Sequence, residues 1–226
     1  MTFAISHRGP DAEGYWIKNN VGFGHKRLSI LDLSDKANQP MLDSSKNYVL
    51  TYNGEIYNFK ELRNDLMQKG YRFKTNSDTE VVLYSLIEWG SNAIIKFNGM
   101  FAFSFYDSKK NELILCRDRY GIKPLYYSIQ NNLILFGSEI KSLTATNYLE
   151  KKINERALVE YMSFQNIISE NTLLKNVKLV NPGFFFKLNI SNRKINKKKY
   201  WDFDFNNLEY KNLKESNVEK LEFLIK

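Results

Sequence analysis

The stretch Met100-Phe101-Ala102-Phe103-Ser104-Phe105-Tyr106-Asp107 constrains this chain more than any other. Aromatic and small residues alternate along it with a period of two, the repeat of a β-strand. Phe101, Phe103 and Phe105 therefore form a ladder on one face. Such a face needs an apolar layer over it, and two helical patterns precede the strand. In the first, Asn58 opens a helix with Glu61 as capping-box partner. Phe59, Leu62, Leu66 and Met67 share one face, and Gly70 ends it. In the second, Ser77 is the cap and Glu80 its partner, and the helix runs through Val81, Val82, Tyr84, Leu86 and Ile87 to Gly90. It is apolar on most sides, which predicts burial between layers.

The remaining segments read mostly as strands. Tyr15-Trp16-Ile17 and Val21 to Gly24 form a hairpin around Lys18-Asn19-Asn20, and His25 to Asp32 continues extended. Residues Leu33 to Ser45, with Pro40, read as loop. Tyr48 to Tyr52 is a strand that leads into Asn53-Gly54-Glu55-Ile56-Tyr57-Asn58. After the phenylalanine strand, Leu113 to Arg117, Leu125 to Ile129 and Leu133 to Phe136 continue as an antiparallel meander. Glu139 to Leu143 and Asn154 to Met162 read as short helices, and Phe184 to Leu188 with Ile195 to Trp201 as a late hairpin. Phe203 to Leu213 is a polar connector. Ser216-Asn217-Val218-Glu219 then opens a helix with Val218, Leu221, Leu224 and Ile225 on one face. The pattern is α+β, with mainly antiparallel sheets stacked face to face and covered by helices.

A chain of 226 residues, 43% of them hydrophobic, suits one large domain with a short appendage. There is no apolar run of the roughly 18 residues a transmembrane helix needs, and the first residues lack a signal-peptide pattern. The expectation is a soluble, cytoplasmic protein with no membrane partner. One cysteine, Cys116, and two histidines, His7 and His25, exclude a disulfide framework and a Cys- or His-rich metal cluster. The net charge of +8 raises nucleic acid as a partner. No nucleic-acid motif accompanies it, and Lys194, Lys197, Lys198 and Lys199 read as a solvated surface, so none is expected.

Several residues carry candidate chemistry. Asn53-Gly54 after an apolar strand is a turn signal, and equally a place to present N–H groups to a negative oxygen. Arg27 reads as a structural ion-pair residue or as a bidentate fork for a carboxylate. Asp78, in the first turn of its helix, reads as a dipole-favoured carboxylate or as the holder of an amine.

The blocks His7-Arg8-Gly9-Pro10-Asp11, Arg27-Leu28-Ser29-Ile30, Asn53 to Asn58, Ser77-Asp78-Thr79-Glu80, Gly99 to Phe103 and Arg117 to Tyr127 occur in this order. Together they resemble the class-II glutaminase domain of glutamine-hydrolysing asparagine synthetases and related amidotransferases. The resemblance covers His7 to about Trp201. It implies the N-terminal-nucleophile hydrolase fold, an αββα sandwich, and a site that converts glutamine to glutamate and ammonia for asparagine biosynthesis. By the same resemblance Arg27 holds the α-carboxylate and Asp78 the α-amine, Asn53 and Gly54 form the oxyanion hole, and Glu55 lines the pocket. Ammonia then passes to an ATP-using ligase domain, or to a separate chain with that role. A homodimer is an open alternative for assembly.

Two family features have no counterpart in these residues. The family nucleophile is an N-terminal cysteine in a Cys-Gly-Ile block, whereas here Met1 to Ser6 resemble the end of a helix leading into the first motif. Cys116 is expected to be a buried, inert thiol, and Thr2 is a weak candidate nucleophile. The Ser-Gly-Gly-x-Asp-Ser phosphate loop of the ATP domain does not occur, so no cofactor is expected in this chain, and ATP and magnesium belong to the second domain. The implied organisation is a fragment: residues 1–201 as a type-2 glutamine amidotransferase domain without its first strand and nucleophile, and 202–226 as a linker and the first helix of a synthetase domain. No glutamine hydrolysis is expected from it alone. The alternative is a glutamine-binding or scaffolding subunit.

Overall fold

The computed structural model describes residues 1–130, 132–204 and 215–225, the last with backbone alone for 215–218. The chain is ordered as two helices on one side of a sheet and smaller sheets on the other. The strands are β1 (Ala12–Lys18), β2 (Val21–Arg27), β3 (Met41–Leu42), β4 (Tyr48–Ile56), β5 (Gly99–Asp107), β6 (Glu112–Arg117), β7 (Tyr126–Gln130), β8 (Leu133–Gly137), β9 (Lys178–Leu179), β10 (Phe184–Asn189) and β11 (Ile195–Lys199). The helices are α1 (Phe59–Gln68), α2 (Asp78–Trp89), α3 (Ala93–Lys96), α4 (Ile140–Thr144), α5 (Glu155–Phe164) and α6 (Glu215–Ile225). The connector expected over 203–213 falls outside the described residues from 205 onward, as do the side chains of the Ser216 capping box.

The central six-stranded sheet has the order β11-β10-β6-β5-β4-β3, and its pairings are antiparallel. The phenylalanine ladder on β5 is fully buried. Phe101, Phe103 and Phe105 pack with Leu50, Ile114 and Phe185 against Leu62 and Leu66 of α1 and Val81, Val82 and Leu86 of α2. Burying each such side chain contributes roughly 1.5–3 kcal/mol. The opposite face of the sheet is buried too. Val49, Ala102, Tyr106, Leu113, Leu115, Phe186 and Leu188 meet Val21 and Phe23 of β2 and Tyr127 of β7. Behind the three-stranded sheet β8-β7-β9, Leu143 of α4 packs with Leu149 and Val177. Helix, sheet, sheet and helix therefore stack as four layers, the expected αββα sandwich.

Local expectations fail where a distant partner intervenes. Asn53 and Gly54 do not turn the chain. They continue β4 through Ile56, paired in unbroken register with β5, Asn53 opposite Ala102 and Gly54 opposite Phe101. Glycine is required at position 54 by this close approach, since a Cβ there would meet the Met100 carbonyl oxygen at 2.2 Å and the Phe101 Cα at 2.6 Å. Asn58 makes no side-chain cap on α1. Its amide instead bridges to the Lys96 carbonyl and the Asn98 N–H, both at 3.0 Å. Met67, expected on the buried face of α1, is exposed.

Ser77 does cap α2, accepting from the Glu80 N–H, while the Glu80 carboxylate reaches further back to the Lys74 and Thr75 N–H groups. Residues 33–45 hold a helical turn at Asp35–Ala37 and the short strand β3 as well as loop. The expected meander is split. β6 pairs with β10, more than sixty residues later, and β7 leaves for the second sheet.

Candidate functional site

A cavity of about 610 Å³ lies between the two sheet layers, and Arg27, Asn53, Gly54, Glu55 and Asp78 all line it. The five residues singled out in the sequence thus converge on one space. β2 brings Arg27, the second half of β4 brings Asn53 to Glu55, and the first turn of α2 brings Asp78.

Arg27 is buried, at 8% exposure, and its guanidinium is braced by neutral acceptors. Nη1 donates to the Ser34 carbonyl at 2.9 Å and to Asn38 Oδ1 at 2.8 Å, and Nη2 donates to the Asp32 carbonyl. Three of its five N–H donors are used in this way, which leaves two. Among the described residues no carboxylate lies within ion-pairing distance of it. The structural ion pair that Arg27 alone suggested is therefore not formed. The nearby Asp32 carboxylate is held by the Ser34 side chain and by the N–H groups of Asn76 and Ser34, which, with a smaller contribution from the Arg27 charge, draw its pKa down to about 2.

Asp78 mirrors this arrangement with the opposite sign. It is 4% exposed and has no cation partner among the described residues. Its Oδ2 accepts from the Tyr52 hydroxyl at 2.7 Å and the Ile56 N–H at 3.0 Å. Burial raises its pKa despite these bonds. An unpaired buried cation and an unpaired buried anion on the walls of one cavity are costly to the fold alone. They are complementary to a zwitterion.

Between them runs the free edge of β4. Strand β3 covers β4 only at Val49 and Leu50. In an antiparallel ladder successive N–H groups point to alternate edges. Those of Tyr52 and Ile56 point away from β5, to Gln39 Oε1 at 2.6 Å and to Asp78. The N–H of Gly54 lies between them on that same edge. Asn53 turns its amide to the cavity side of the sheet, and its Nδ2 is buried without a hydrogen-bond partner among the described residues.

Sequence reasoning missed Gln39 and His25. The Gln39 amide clamps the Tyr52 peptide, accepting from its N–H and donating to its carbonyl at 3.0 Å. His25 Nε2 meets the same carbonyl at 3.2 Å. The adjacency of His25 to Arg27 on one short strand was the available signal, since residues two apart share a face. The Arg117-Asp118 block, by contrast, is structural. Asp118 is fully buried and accepts from the N–H groups of Phe101, Tyr120, Ile122 and Lys123, and Arg117 donates to three carbonyls.

The two candidate nucleophiles differ in place. Cys116 is fully buried in the helix-side core, away from the cavity, and burial followed by the Asp118 charge pushes its thiol pKa well up. Thr2 lines the cavity, and its hydroxyl donates to the Tyr15 hydroxyl at 3.0 Å. Near it the helical segment Thr2–Arg8 is tied to α4 through Glu139. That carboxylate takes Arg8 at 3.1 Å, His7 at 2.9 Å and Lys141 at 3.3 Å. Burial opposes its ionisation, yet these partners hold its pKa down to about 2.

Comparison with known proteins bears on the family and the fold. The glutamine amidotransferase domain family matches residues 1–201. "Asparagine synthetase [glutamine-hydrolyzing] 1" of Bacillus subtilis (strain 168) is 45% identical over 189 residues, covering 83% of this chain and 29% of that protein. "Asparagine synthetase [glutamine-hydrolyzing] 3" of the same organism is 37% identical over 207 residues, covering 90% of this chain and 33% of that protein. The chain thus spans about a third of the length of these curated relatives. Among solved structures, glutamine phosphoribosylpyrophosphate amidotransferase from B. subtilis, complexed with ADP and GMP, aligns with a TM-score of 0.55 at 22% identity, over 80% of this chain and 35% of that one. At that identity the likeness speaks for the fold. By sequence and by fold together, this chain belongs to the glutamine amidotransferase domain family.

Proposed function

We propose that this chain is the glutamine-binding part of an asparagine-synthetase-like amidotransferase. In that reaction glutamine yields glutamate and ammonia, and the ammonia goes to an ATP-activated acceptor such as aspartate. The observation that carries the reading is a pair of buried charged side chains on one cavity, Arg27 and Asp78, neither of them in an ion pair among the described residues. An α-amino acid supplies both missing partners. Its carboxylate takes the two remaining N–H donors of Arg27, and its ammonium takes the Asp78 carboxylate. The side-chain carboxamide then lies along the β4 edge, where Asn53 Nδ2 and the Gly54 N–H stabilise the oxygen as it gains negative charge. Glu55 closes the pocket wall. In this reading ATP and magnesium are used by a synthetase domain or partner chain.

Hydrolysis requires a nucleophile at the carboxamide carbon. Cys116 is outside the cavity and protonated, and Thr2 has a hydroxyl rather than a histidine or amine as its bonded neighbour. Residues 1–226 are therefore proposed to bind glutamine without turning it over. The same fact favours a second reading, a glutamine-binding subunit that leaves the chemistry to another chain. Calorimetry with L-glutamine, run beside an ammonia-release assay, tests the proposal. Saturable binding without ammonia release is expected. Absence of binding to folded protein overturns the glutamine reading, and release that is lost on Thr2→Ala overturns the assignment of no nucleophile.

A further inference from the structure

Two residues that line this cavity each hold a buried polar side-chain atom with no hydrogen-bond partner among the described residues, and the two atoms have opposite polarity. One is Asn53 Nδ2, a donor. The other is His25 Nδ1. His25 Nε2 lies 3.2 Å from the Tyr52 carbonyl. A carbonyl oxygen only accepts, so Nε2 carries the proton and Nδ1 presents a bare lone pair. Burial, and to a lesser degree the Arg27 charge, hold the imidazole pKa down to about 4, so the ring is neutral near pH 7. Both residues line the cavity. His25 contacts the peptide that joins Tyr52 to Asn53, so the two residues meet the cavity wall at one peptide. An orphaned buried donor or acceptor carries its full desolvation cost until a ligand group meets it.

We infer that His25 and Asn53 together read a primary carboxamide: its oxygen accepts from Asn53 Nδ2, and its NH₂ group donates to His25 Nδ1. This rests on the glutamine reading above and adds to it the discrimination between glutamine and glutamate. A carboxylate has the oxygen for Asn53 but no hydrogen for His25. It would set a charged oxygen against the Nδ1 lone pair, and a site with unmet polar groups rejects the wrong isostere strongly. The arrangement therefore admits the substrate and expels the product of the same size and shape. Gln39 has the supporting role. It bonds the Tyr52 N–H and the same carbonyl that His25 meets, and so holds this part of β4 in place.

The test uses the 226-residue chain, L-glutamine and L-glutamate as separate ligands, calorimetry at pH 7.5, and thermal unfolding of each variant. Wild type is expected to prefer glutamine by about 100-fold. In His25→Gln, the amide nitrogen takes the place of Nε2 and keeps the bond to Tyr52, but nothing replaces Nδ1. This variant should unfold near the wild-type temperature while its preference falls by about tenfold. In His25→Asn, the amide oxygen takes the place of Nδ1 and the bond to Tyr52 is lost. It should unfold at a lower temperature yet keep most of the preference. A His25→Gln protein with undiminished preference overturns the inference. So does a preference that falls in both variants in step with their stability, which is the behaviour of a purely structural residue. Wild type that binds the two ligands equally also overturns it. If wild type binds neither ligand, the glutamine reading fails and this inference with it. If wild type binds glutamine selectively and His25→Gln does not change that, only this inference fails.

Discussion

Replacing Asp78 by asparagine separates what this side chain does for a ligand from what it costs the fold. Asparagine has the same shape, and its Oδ1 has two lone pairs, enough to accept from both the Tyr52 hydroxyl and the Ile56 N–H. These two bonds are therefore retained, while the N–H groups of Thr79 and of residue 78, which also face the carboxylate, lose an anionic acceptor. The charge is not retained. Because burial raises the Asp78 pKa, the folded state holds a proton here that the unfolded state has already released. Stability falls as pH rises through the window between the ordinary aspartate range and the raised value. Asp78→Asn is free of that penalty, so at pH 7.5 it should unfold at or above the wild-type temperature. The advantage should disappear in acid, below the ordinary aspartate range. Binding should move the other way. A hydrogen bond to a charged partner contributes about 1.5–3 kcal/mol, and its loss weakens glutamine binding by about 10- to 150-fold. Calorimetry and scanning calorimetry on the same preparation read both effects. An Asp78→Asn protein that binds glutamine as wild type does would refute the role assigned to this carboxylate. One that unfolds well below wild type would refute the claim that its charge is a burden to the fold.

Three further outcomes follow from the geometry. His25 has its pKa lowered from 6.5 to about 4, so its unfolded form binds a proton first as the solution is acidified. Stability should therefore be lost as pH falls from 6.5 towards 4, by up to about 3 kcal/mol from this residue. Denaturant titrations across that range should show a flatter slope in His25→Gln, and an unchanged slope would count against a neutral buried ring. Gly54→Ala forces a Cβ onto backbone atoms of β5 rather than onto a movable side chain. It should cost about 1–3 kcal/mol in urea denaturation and abolish glutamine binding; a stable, binding-competent variant would show that β4 and β5 are not so close. The Cys116 thiol should resist maleimide in the native protein and react fully in denaturant, as its burial and raised pKa require. Rapid native labelling would place it outside the core.

Much of the fold was legible because it depends on short-range pattern. The two-residue period of β5, the apolar wheel of α2 and the Ser77 cap are written in adjacent residues, and each is present. Expectations failed where long-range partners outweighed local preference. Asn53-Gly54 is a turn signal by composition, but pairing with β5 and the bond from the Ile56 N–H to Asp78 keep the segment extended. Asn58 has a good cap sequence, yet groups about forty residues away take its amide. β6 and β7 are neighbours in sequence, and only the late arrival of β10 separates their sheets.

The candidate site was legible in a different way. Arg27, Asn53, Gly54, Glu55 and Asp78 were named through family resemblance, since each taken singly has an ordinary structural reading. Their shared cavity, and the absence of counter-ions for Arg27 and Asp78 among the described residues, are properties of the three-dimensional arrangement. His25 and Gln39 went unnoticed because their contact with the Tyr52 peptide joins β2, the segment before β3, and β4. No spacing in the sequence encodes that meeting.

A crystal structure of the chain with L-glutamine tests the central claim most directly. The ligand should lie between the two sheet layers, its carboxylate on the Arg27 guanidinium, its ammonium on Asp78, and its carboxamide at Asn53 and the Gly54 N–H. Glutamine bound outside this cavity, or bound inside it with its carboxylate turned away from Arg27, would contradict the account.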